Sequence, residues 1–220
     1  MDMNTMGAAL PEWLTPLAWT YGVLALLSAA VIATDVWARG HRHRTLTAEI
    51  SWVASALFLA PAALVLYRRY GRQTQTSGAG TDTKPIVVDS LPGGSASALA
   101  HLVGVPLVIA SGLTIAGTDL WVMIAVIAVL AIALLAVYER TNDGTNTPTA
   151  FTRATVTVLA FDIGMGGWML LLHFNDLMPP ATDVRFWFLM QIGILAGLLT
   201  GAPAVAALRR TAPRLPATAA

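Results

Sequence analysis

The chain contains several apolar runs of about 20 residues that carry few or no charges. A run of that length crosses the hydrocarbon core of a bilayer as an α-helix. The composition agrees, because 56% of the 220 residues are hydrophobic and 11% are charged, whereas a soluble domain has about 25% charged residues. We therefore predict an all-α, polytopic integral membrane protein with about six transmembrane helices.

The apolar runs predict six spans that pair into three hairpins. The spans cover residues 17–38, 46–67, 98–116, 120–138, 154–174 and 185–208. The hairpins (17–67, 98–138 and 154–210) are separated by polar loops (68–97 and 139–153) and flanked by an N-terminal segment (1–16) and a disordered tail (211–220). The first loop is rich in Gly, Ser and Thr, which predicts a flexible segment rather than a domain. Pro61 lies inside the second span and predicts a kink.

Several classes of protein are excluded by what the sequence lacks. Without cysteine there is no disulfide framework and no thiolate-bound zinc or iron–sulfur cluster. The single lysine, Lys84, lies outside every predicted span, which argues against a retinal Schiff base. No nucleotide-binding loop, zinc-protease motif or basic stripe for nucleic acid is present. We expect a non-enzymatic membrane protein without a nucleic-acid partner.

The distribution of Lys and Arg among the loops predicts the orientation. With a cytoplasmic N-terminus, six spans place nine of these residues inside and four outside. Both termini are therefore predicted to be cytoplasmic, in the plasma membrane. The three arginines of the first loop (Arg39, Arg42 and Arg44) run against this orientation.

Two stretches in the last two spans carry a family signature. They are Ala160–Met169, which reads AFDIGMGGWM, and Phe186–Gly193, which reads FWFLMQIG. They resemble a prokaryotic membrane family known as domain of unknown function 4396, and the front half fits through Asp35, Trp52 and Pro61. The resemblance implies a polytopic architecture and carries no agreed activity.

The central region departs from that family. Relatives typically carry a His-Cys and Gly-Cys cluster followed by acids, whereas this chain reads Ala100-His101-Leu102-Val103-Gly104-Val105-Pro106. The resemblance therefore implies that His101 is retained while any metal site built on those cysteines is lost. Copper, zinc and other metals are left open as cofactors.

Asp162 is the only acid well inside a predicted span. A carboxylate there costs a few kcal/mol or more, so it indicates either a proton or cation site or a hydrogen bond that joins helices. Gly164, Gly166 and Gly167 are predicted to let another helix approach. Asp162 and Gly166 lie one turn apart, so the acid is expected to face protein, with Thr200 as its partner.

Three further polar residues are candidate ion ligands. His173 ends the fifth span and is either a ligand or an interfacial side chain, while His101 in the third span is either a ligand or a packed histidine. Gln191 in the sixth span is either a ligand or a bond between helices. His101 and His173 together would form a bis-histidine haem site if they met.

Other positions are predicted to have packing or charge-balancing roles. Close packing of the sixth span is predicted at Gly193, Gly197 and Pro203. Asp35, Glu49, His41 and His43 surround the first loop, where they would either hold a divalent cation or balance the neighbouring arginines.

Three functional hypotheses follow. The leading one is a protein that binds or moves a small ion, a proton or a metal, through Asp162 and His173. The second is a structural or assembly subunit that forms a homo-oligomer or a larger membrane complex. The third is a haem-bearing subunit of a membrane oxidoreductase.

Overall fold

The computed structural model describes residues 10–72, 85–115, 117 and 119–211. These residues form seven α-helices and no strand: α1 Leu14–Ala33, α2 Leu46–Leu59, α3 Pro61–Leu66, α4 Ile86–Ser111, α5 Leu120–Asp143, α6 Thr147–Phe174 and α7 Val184–Thr211. Short π-helical turns extend α1 through Thr34–Ala38 and α3 through Tyr67–Gly71. Five helices, α1 and α4 to α7, are long and apolar enough to cross a membrane. The prediction of an all-α, multi-pass membrane protein is confirmed.

The second predicted span is a helical hairpin and not a single crossing. α2 has 14 residues, so it is about 21 Å long and shorter than the hydrocarbon core of ~30 Å. The rings of Trp52 in α2 and Tyr67 after α3 lie 5.7 Å apart, whereas a continuous helix would separate these positions by about 22 Å. The chain therefore enters the membrane along α2 and returns along α3.

The reversal takes place at Ala60 and Pro61. Ala60 has φ 47° and ψ −129°, a conformation that costs a side-chain-bearing residue about 1–3 kcal/mol. Pro61 starts α3 and has no N–H, so it cannot donate to the carbonyl of Leu57, one turn back in α2. The predicted kink is thus a complete turn, and we call residues 57–61 the hairpin tip.

Ion pairs hold the open end of the hairpin against the end of α1. The buried carboxylate of Asp35 accepts a hydrogen bond from the Tyr67 hydroxyl at 3.0 Å and lies 3.1 Å from Nε of Arg72. Glu49, at the start of α2, accepts from Nε1 of Trp37 at 2.9 Å and from Nε of Arg42 at 2.8 Å. Residues before and after the hairpin are thereby fixed at one face of the membrane.

This arrangement favours charge balance over a cation site around the first loop. Asp35 and Glu49 are each paired with arginines, and Asp35 also has His41 at 3.4 Å. Within the described residues, no group of three or more His, Cys, Asp or Glu side chains is arranged to hold a metal ion.

Contacts between helix ends define the two faces of the protein. Oγ1 of Thr47 at the start of α2 bonds Oγ1 of Thr141 at the end of α5 at 2.7 Å, and Asp89 at the start of α4 pairs with Arg209 at the end of α7. We call the side of the protein that holds these two contacts the basic face. At the other side, the rings of Tyr21 in α1 and Phe188 in α7 lie 5.4 Å apart. We call that side, with the α4–α5 and α6–α7 connections, the acidic face.

The hairpin changes the topology that six spans would give. Five crossings place the two ends of the described chain on opposite faces, with Leu14 at the acidic face and Arg210 at the basic face. The prediction that both termini share one side assumed six crossings, and five crossings do not favour it. Every arginine of the described residues except Arg185 now lies at the basic face, including those of the first loop that opposed the earlier orientation.

Several predicted boundaries also shift. Helix α4 begins at Ile86 rather than at residue 98, so the end of the predicted flexible loop is helical. Helix α5 continues to Asp143 and α6 begins at Thr147, where the Asn146 side chain accepts a bond from the Thr149 N–H and caps the helix. The remaining loop residues 73–84 and the tail 212–220 lie outside the described residues.

The contact between α6 and α7 depends on three of the predicted packing glycines. A Cβ at Gly164 would collide with the carbonyl oxygen of Ala196, a Cβ at Gly193 would lie 2.6 Å from the sulfur of Met165, and one at Gly197 would lie 2.6 Å from the Phe161 ring. These distances are too short for any side chain. The two helices therefore approach each other closely along this seam.

The other predicted packing positions have no such neighbour within the chain. A Cβ at Gly166 or Gly167 would meet nothing within 4 Å, and Pro203 is exposed on α7. These three residues therefore lie away from the α6–α7 seam, and their role in helix packing stays a prediction.

Because the natural chain has no cysteine, the hairpin can be tested with single cysteines at exposed positions. We predict that Arg44→Cys, before α2, and Arg69→Cys, after α3, react with a membrane-impermeant maleimide from the same side of the membrane. Sealed, oriented vesicles provide the measurement. Labelling of the two cysteines from opposite sides would contradict the hairpin.

The helix seam gives a matched pair of substitutions. Gly164→Ala should lower the free energy of unfolding by about 1–3 kcal/mol, because the added methyl group overlaps the α7 backbone. Gly167→Ala adds the same group in open space and should be neutral or stabilising by up to ~1 kcal/mol. Thermal unfolding in detergent compares the two variants, and equal losses would argue against the close approach.

Candidate functional site

A cavity of about 240 Å³ lies beside the hairpin tip, on the side of the acidic face. Helices α1, α2, α4 and α7 form its walls, which are mostly apolar. Along α7 it extends from Val184, at the acidic face, to Ile194, which is about 15 Å of helix. Leu57 of the hairpin tip also lines it, so the cavity reaches from the membrane surface towards the middle of the protein.

His101 contributes an unpartnered nitrogen atom to this cavity. The side chain is 4% exposed and its Nδ1 lies 2.8 Å from the backbone carbonyl oxygen of Ser97, one turn earlier in α4. A carbonyl only accepts, so Nδ1 carries the proton and Nε2 of the neutral ring keeps its lone pair. Nε2 is buried without a hydrogen-bond partner, on the edge of the ring that faces away from its own helix.

Gln191 faces the same cavity from α7. Its Oε1 atom is buried and has no hydrogen-bond partner within the described residues. A buried amide oxygen without a partner costs about 1–3 kcal/mol. Two of the four predicted ion ligands, His101 and Gln191, thus line one cavity, and each has a buried acceptor atom that no described residue satisfies.

Tyr21 is a third polar residue of the cavity, and the sequence reasoning did not identify it as a site residue. Its hydroxyl donates a hydrogen bond to the carbonyl oxygen of Phe58 in the hairpin tip. The chain reversal at Ala60 removes the helical donor that this carbonyl would otherwise have. Because the hydroxyl proton is used there, only the oxygen lone pairs of Tyr21 remain for a ligand.

The end of α2 adds a negative field. The C-terminus of an α-helix carries a partial charge of about −0.5, and α2 ends at Leu59, two residues after the cavity-lining Leu57. His101 and Tyr21 add acceptor atoms, whereas the Gln191 amide has both an acceptor oxygen and two N–H donors. Among the described residues, no acid or arginine lines the cavity. Its chemistry is that of an uncharged, mostly apolar site beside the negative end of α2.

The other two predicted ligands lie elsewhere. Asp162 and His173 are on α6, and no residue of α6 lines the cavity. They share one face of that helix with Gly166, whose surroundings are open. His173 lies at the end of α6 with its ring 5.5 Å from that of Phe174. The predicted pairing of Asp162 with His173 at one ion site, and of His101 with His173 at a haem, is therefore not assembled.

Asp162 has no ion pair or hydrogen bond within the described residues. Its expected partner Thr200 instead bonds the α6 backbone, accepting from the N–H of Gly164 at 3.2 Å and donating to nearby carbonyls. Asp162 and Gly166 are both half-buried, and a Cβ added at Gly166 would meet nothing within 4 Å. A role for Asp162 in assembly or in ion binding stays a prediction.

Sequence reasoning could have found part of what it missed. Pro61 indicated a break in the second apolar run, and the three arginines of the first loop opposed a straight crossing. Together these two signals favour a hairpin. Nothing in the sequence indicates that Tyr21 donates to a carbonyl at the hairpin tip, because that contact joins residues 37 positions apart.

Comparison with known proteins identifies a family but no characterised relative. A family model described as a domain of unknown function (DUF4396) matches residues 84–211, which include α4 to α7 and two of the three polar residues of the cavity. No curated protein matches the chain. No solved structure matches it either. The chain belongs to the family of domain of unknown function 4396.

Proposed function

We propose that this protein binds a small cation in the cavity beside the hairpin tip and moves it across the membrane. One observation carries the proposal: three polar residues, His101, Gln191 and Tyr21, line one apolar cavity beside the C-terminal end of α2, and two of them have a buried acceptor atom without a hydrogen-bond partner among the described residues. Hydrogen-bond acceptors without partners are costly inside a membrane protein. A ligand that donates to them or carries positive charge offsets that cost.

The architecture supports movement as well as binding. Non-helical backbone at membrane depth is tolerated where it lies inside the protein or lines a cavity, as in channels and transporters. Broken helices in such proteins commonly use their C-terminal ends to coordinate cations. Here the cavity starts at Val184 near the acidic face and ends beside the hairpin tip. The hairpin itself occupies the path from there to the basic face.

The chemistry of the cavity narrows the class of cation. Divalent metals in proteins favour several carboxylate or imidazole ligands, and His101 is the only such residue that lines the cavity in the part of the chain that the structure describes. An anion would meet acceptor atoms and the negative end of α2. A proton or a small monovalent cation is the ligand class that remains, and it replaces the pairing of Asp162 with His173 as the centre of the ion hypothesis.

The arginine distribution orients this pathway. Short cytoplasmic loops are enriched in Lys and Arg, and all arginines of the described residues except Arg185 lie at the basic face. Arg185 is moreover paired with Asp183, whose pKa it holds below the usual value through hydrogen bonds to the carboxylate. We therefore propose that the basic face is cytoplasmic and that the cavity opens towards the outside.

This orientation predicts which cysteines can be labelled in intact cells. Thr182→Cys, exposed in the α6–α7 connection, should react with a membrane-impermeant maleimide added outside. Arg44→Cys at the basic face should react only after the cells are permeabilised. The reverse pattern would place the basic face outside and would contradict the orientation.

The electronegative cavity predicts selective reactivity at position 191. Gln191→Cys should react faster with the cationic reagent 2-(trimethylammonium)ethyl methanethiosulfonate than with the anionic 2-sulfonatoethyl reagent, by about tenfold more than the ratio measured at Thr182→Cys. Comparing ratios cancels differences in thiol ionisation between the two sites. The rates are followed by mass spectrometry of the protein in vesicles.

Leu199→Cys is the control for exposure to lipid. Leu199 is 78% exposed on α7 and lies outside the cavity, so its thiol should be unreactive with both reagents. If Gln191→Cys is equally unreactive, the cavity is closed to water and the proposal fails. A faster reaction with the anionic reagent would exclude a cation site.

A further inference from the structure

The positive charge of the basic face is concentrated at the open end of the hairpin. Six arginines lie there, three in the loop between α1 and α2 and three directly after α3. We call them the arginine patch: Arg39, Arg42, Arg44, Arg68, Arg69 and Arg72. With the two acids beside them, Asp35 and Glu49, the net charge is +4, whereas the other described helix ends at this face hold four arginines and three acids, a net charge of +1. We propose that the arginine patch binds the headgroups of anionic phospholipids.

The acids of the protein balance only part of the arginine patch. Asp35 has Arg39 at 3.6 Å and Arg72 at 3.1 Å, so two guanidinium groups share one buried carboxylate. Glu49 is paired with Arg42 at 2.8 Å. Two carboxylates are thus used by three arginines, and the other three arginines of the patch remain available for a ligand.

These three arginines, Arg44, Arg68 and Arg69, are exposed and form no ion pair within the described residues. The guanidinium group of Arg69 lies over the ring of Tyr70, 5.5 Å from the ring centre. Stacking uses the flat face of a guanidinium group, so the N–H donors at its edge stay available. A guanidinium group can donate two hydrogen bonds at once to a phosphate. This part of the patch therefore has the chemistry of a phosphate site.

Apolar side chains beside these arginines indicate that the phosphate belongs to a lipid. Val65 is 66% exposed and lies three and four positions before Arg68 and Arg69, on the same side of the helix. Leu46 is 58% exposed and follows Arg44 by two residues, at the first position of α2. A phospholipid places its phosphate at the arginines and its acyl chains along these apolar side chains. A free phosphate ion or an acidic peptide would use the charges alone.

The hairpin gives the bound lipid a structural role. It returns Arg68 and Arg69 to the face at which Arg44 precedes α2, because the two arms are adjacent, with the rings of Trp52 and Tyr67 5.7 Å apart. Positive charges held close together repel one another, and this repulsion opposes the closed hairpin. An anionic headgroup offsets the repulsion and attracts the arginines of both arms. Lipid binding should therefore stabilise the hairpin.

Native mass spectrometry of the full-length protein in detergent tests the selectivity. Phosphatidylglycerol and phosphatidylcholine with identical acyl chains are supplied in equal amounts, and the numbers of bound molecules are compared. The natural protein should retain the anionic lipid about tenfold more than the zwitterionic one, because each arginine near a membrane surface attracts anionic lipid severalfold. Glycerol phosphate, which has a phosphate group but no acyl chains, should not displace the lipid when it is added at the same concentration.

Two double variants locate the binding. Arg68→Gln with Arg69→Gln removes two charges from the arginine patch and should lower the preference for phosphatidylglycerol from about tenfold to about twofold. Arg140→Gln with Arg210→Gln removes the same charge from exposed arginines elsewhere on the basic face and should leave the preference nearly unchanged. Phosphatidylglycerol should also raise the thermal unfolding temperature of the natural protein and of the control variant more than that of the patch variant.

Three results would overturn a lipid site at the hairpin. Equal results from the two double variants, whether loss or no change, would mean that lipid does not distinguish the arginine patch from the rest of the basic face. Equal retention of the two lipids by the natural protein would exclude a selective site. Displacement by glycerol phosphate would assign the arginines to a soluble phosphate compound. No residue of the patch lines the cavity, so each result is independent of the proposed cation site.

Discussion

A helix that stops inside a membrane leaves backbone carbonyl groups where water cannot satisfy them, and the protein must supply their partners. The end of α2 poses this problem, because Ala60 turns the chain back and Pro61 offers no N–H. The Tyr21 hydroxyl satisfies the carbonyl group of Phe58 by donating a hydrogen bond to it. At the other end of the hairpin, Asp35 holds Tyr67 and Arg72 in place.

The cavity is a consequence of that arrangement. A continuous second span would fill the space between α1, α4 and α7, whereas a hairpin that ends at residue 60 leaves the half on the acidic face open. His101 in α4 and Gln191 in α7 then line this space, and each has a buried acceptor atom without a hydrogen-bond partner among the described residues. The cation site that we propose there has the negative end of α2 beside it and no acidic ligand within the described residues.

Hydropathy alone predicted most of the membrane-crossing helices, because lipid requires long apolar segments whatever the packing. It failed at residues 46–67, where the run is long enough to cross but two contacts decide that it does not: Trp52 with Tyr67, and Asp35 with Arg72. Contacts between distant residues are not encoded in the hydropathy of a window. The predicted orientation has the same weakness. When residues 46–67 are wrongly counted as a crossing, every arginine before them is assigned to the opposite face of the membrane.

The sequence likewise predicted only part of the candidate site. Polar residues in apolar helices were the right signal, and four were predicted, but only His101 and Gln191 meet at one cavity. Asp162, the most costly of them by position, lies half-buried on α6 and outside the cavity. The predicted packing glycines also separate into two groups. Gly164 lies at the contact with α7, whereas Gly166 lies half a turn away from that contact. Which side of a helix has a neighbour depends on packing, which spacing along one helix does not determine.

The central claim is that residues 46–71 enter and leave the membrane by the same face. Spin labels placed one at a time along this segment report depth, through their relative accessibility to oxygen, which concentrates in lipid, and to a water-soluble nickel complex. The account predicts that depth increases from residue 46, is greatest near residue 60 and decreases again to residue 71. Because a straight crossing would give a similar depth profile, the side of the membrane decides. The account predicts that labels at residues 46 and 69 both respond to nickel complex added on the same side of sealed vesicles. A label at residue 69 that responds only to nickel complex added on the opposite side would contradict the hairpin and the cavity built on it.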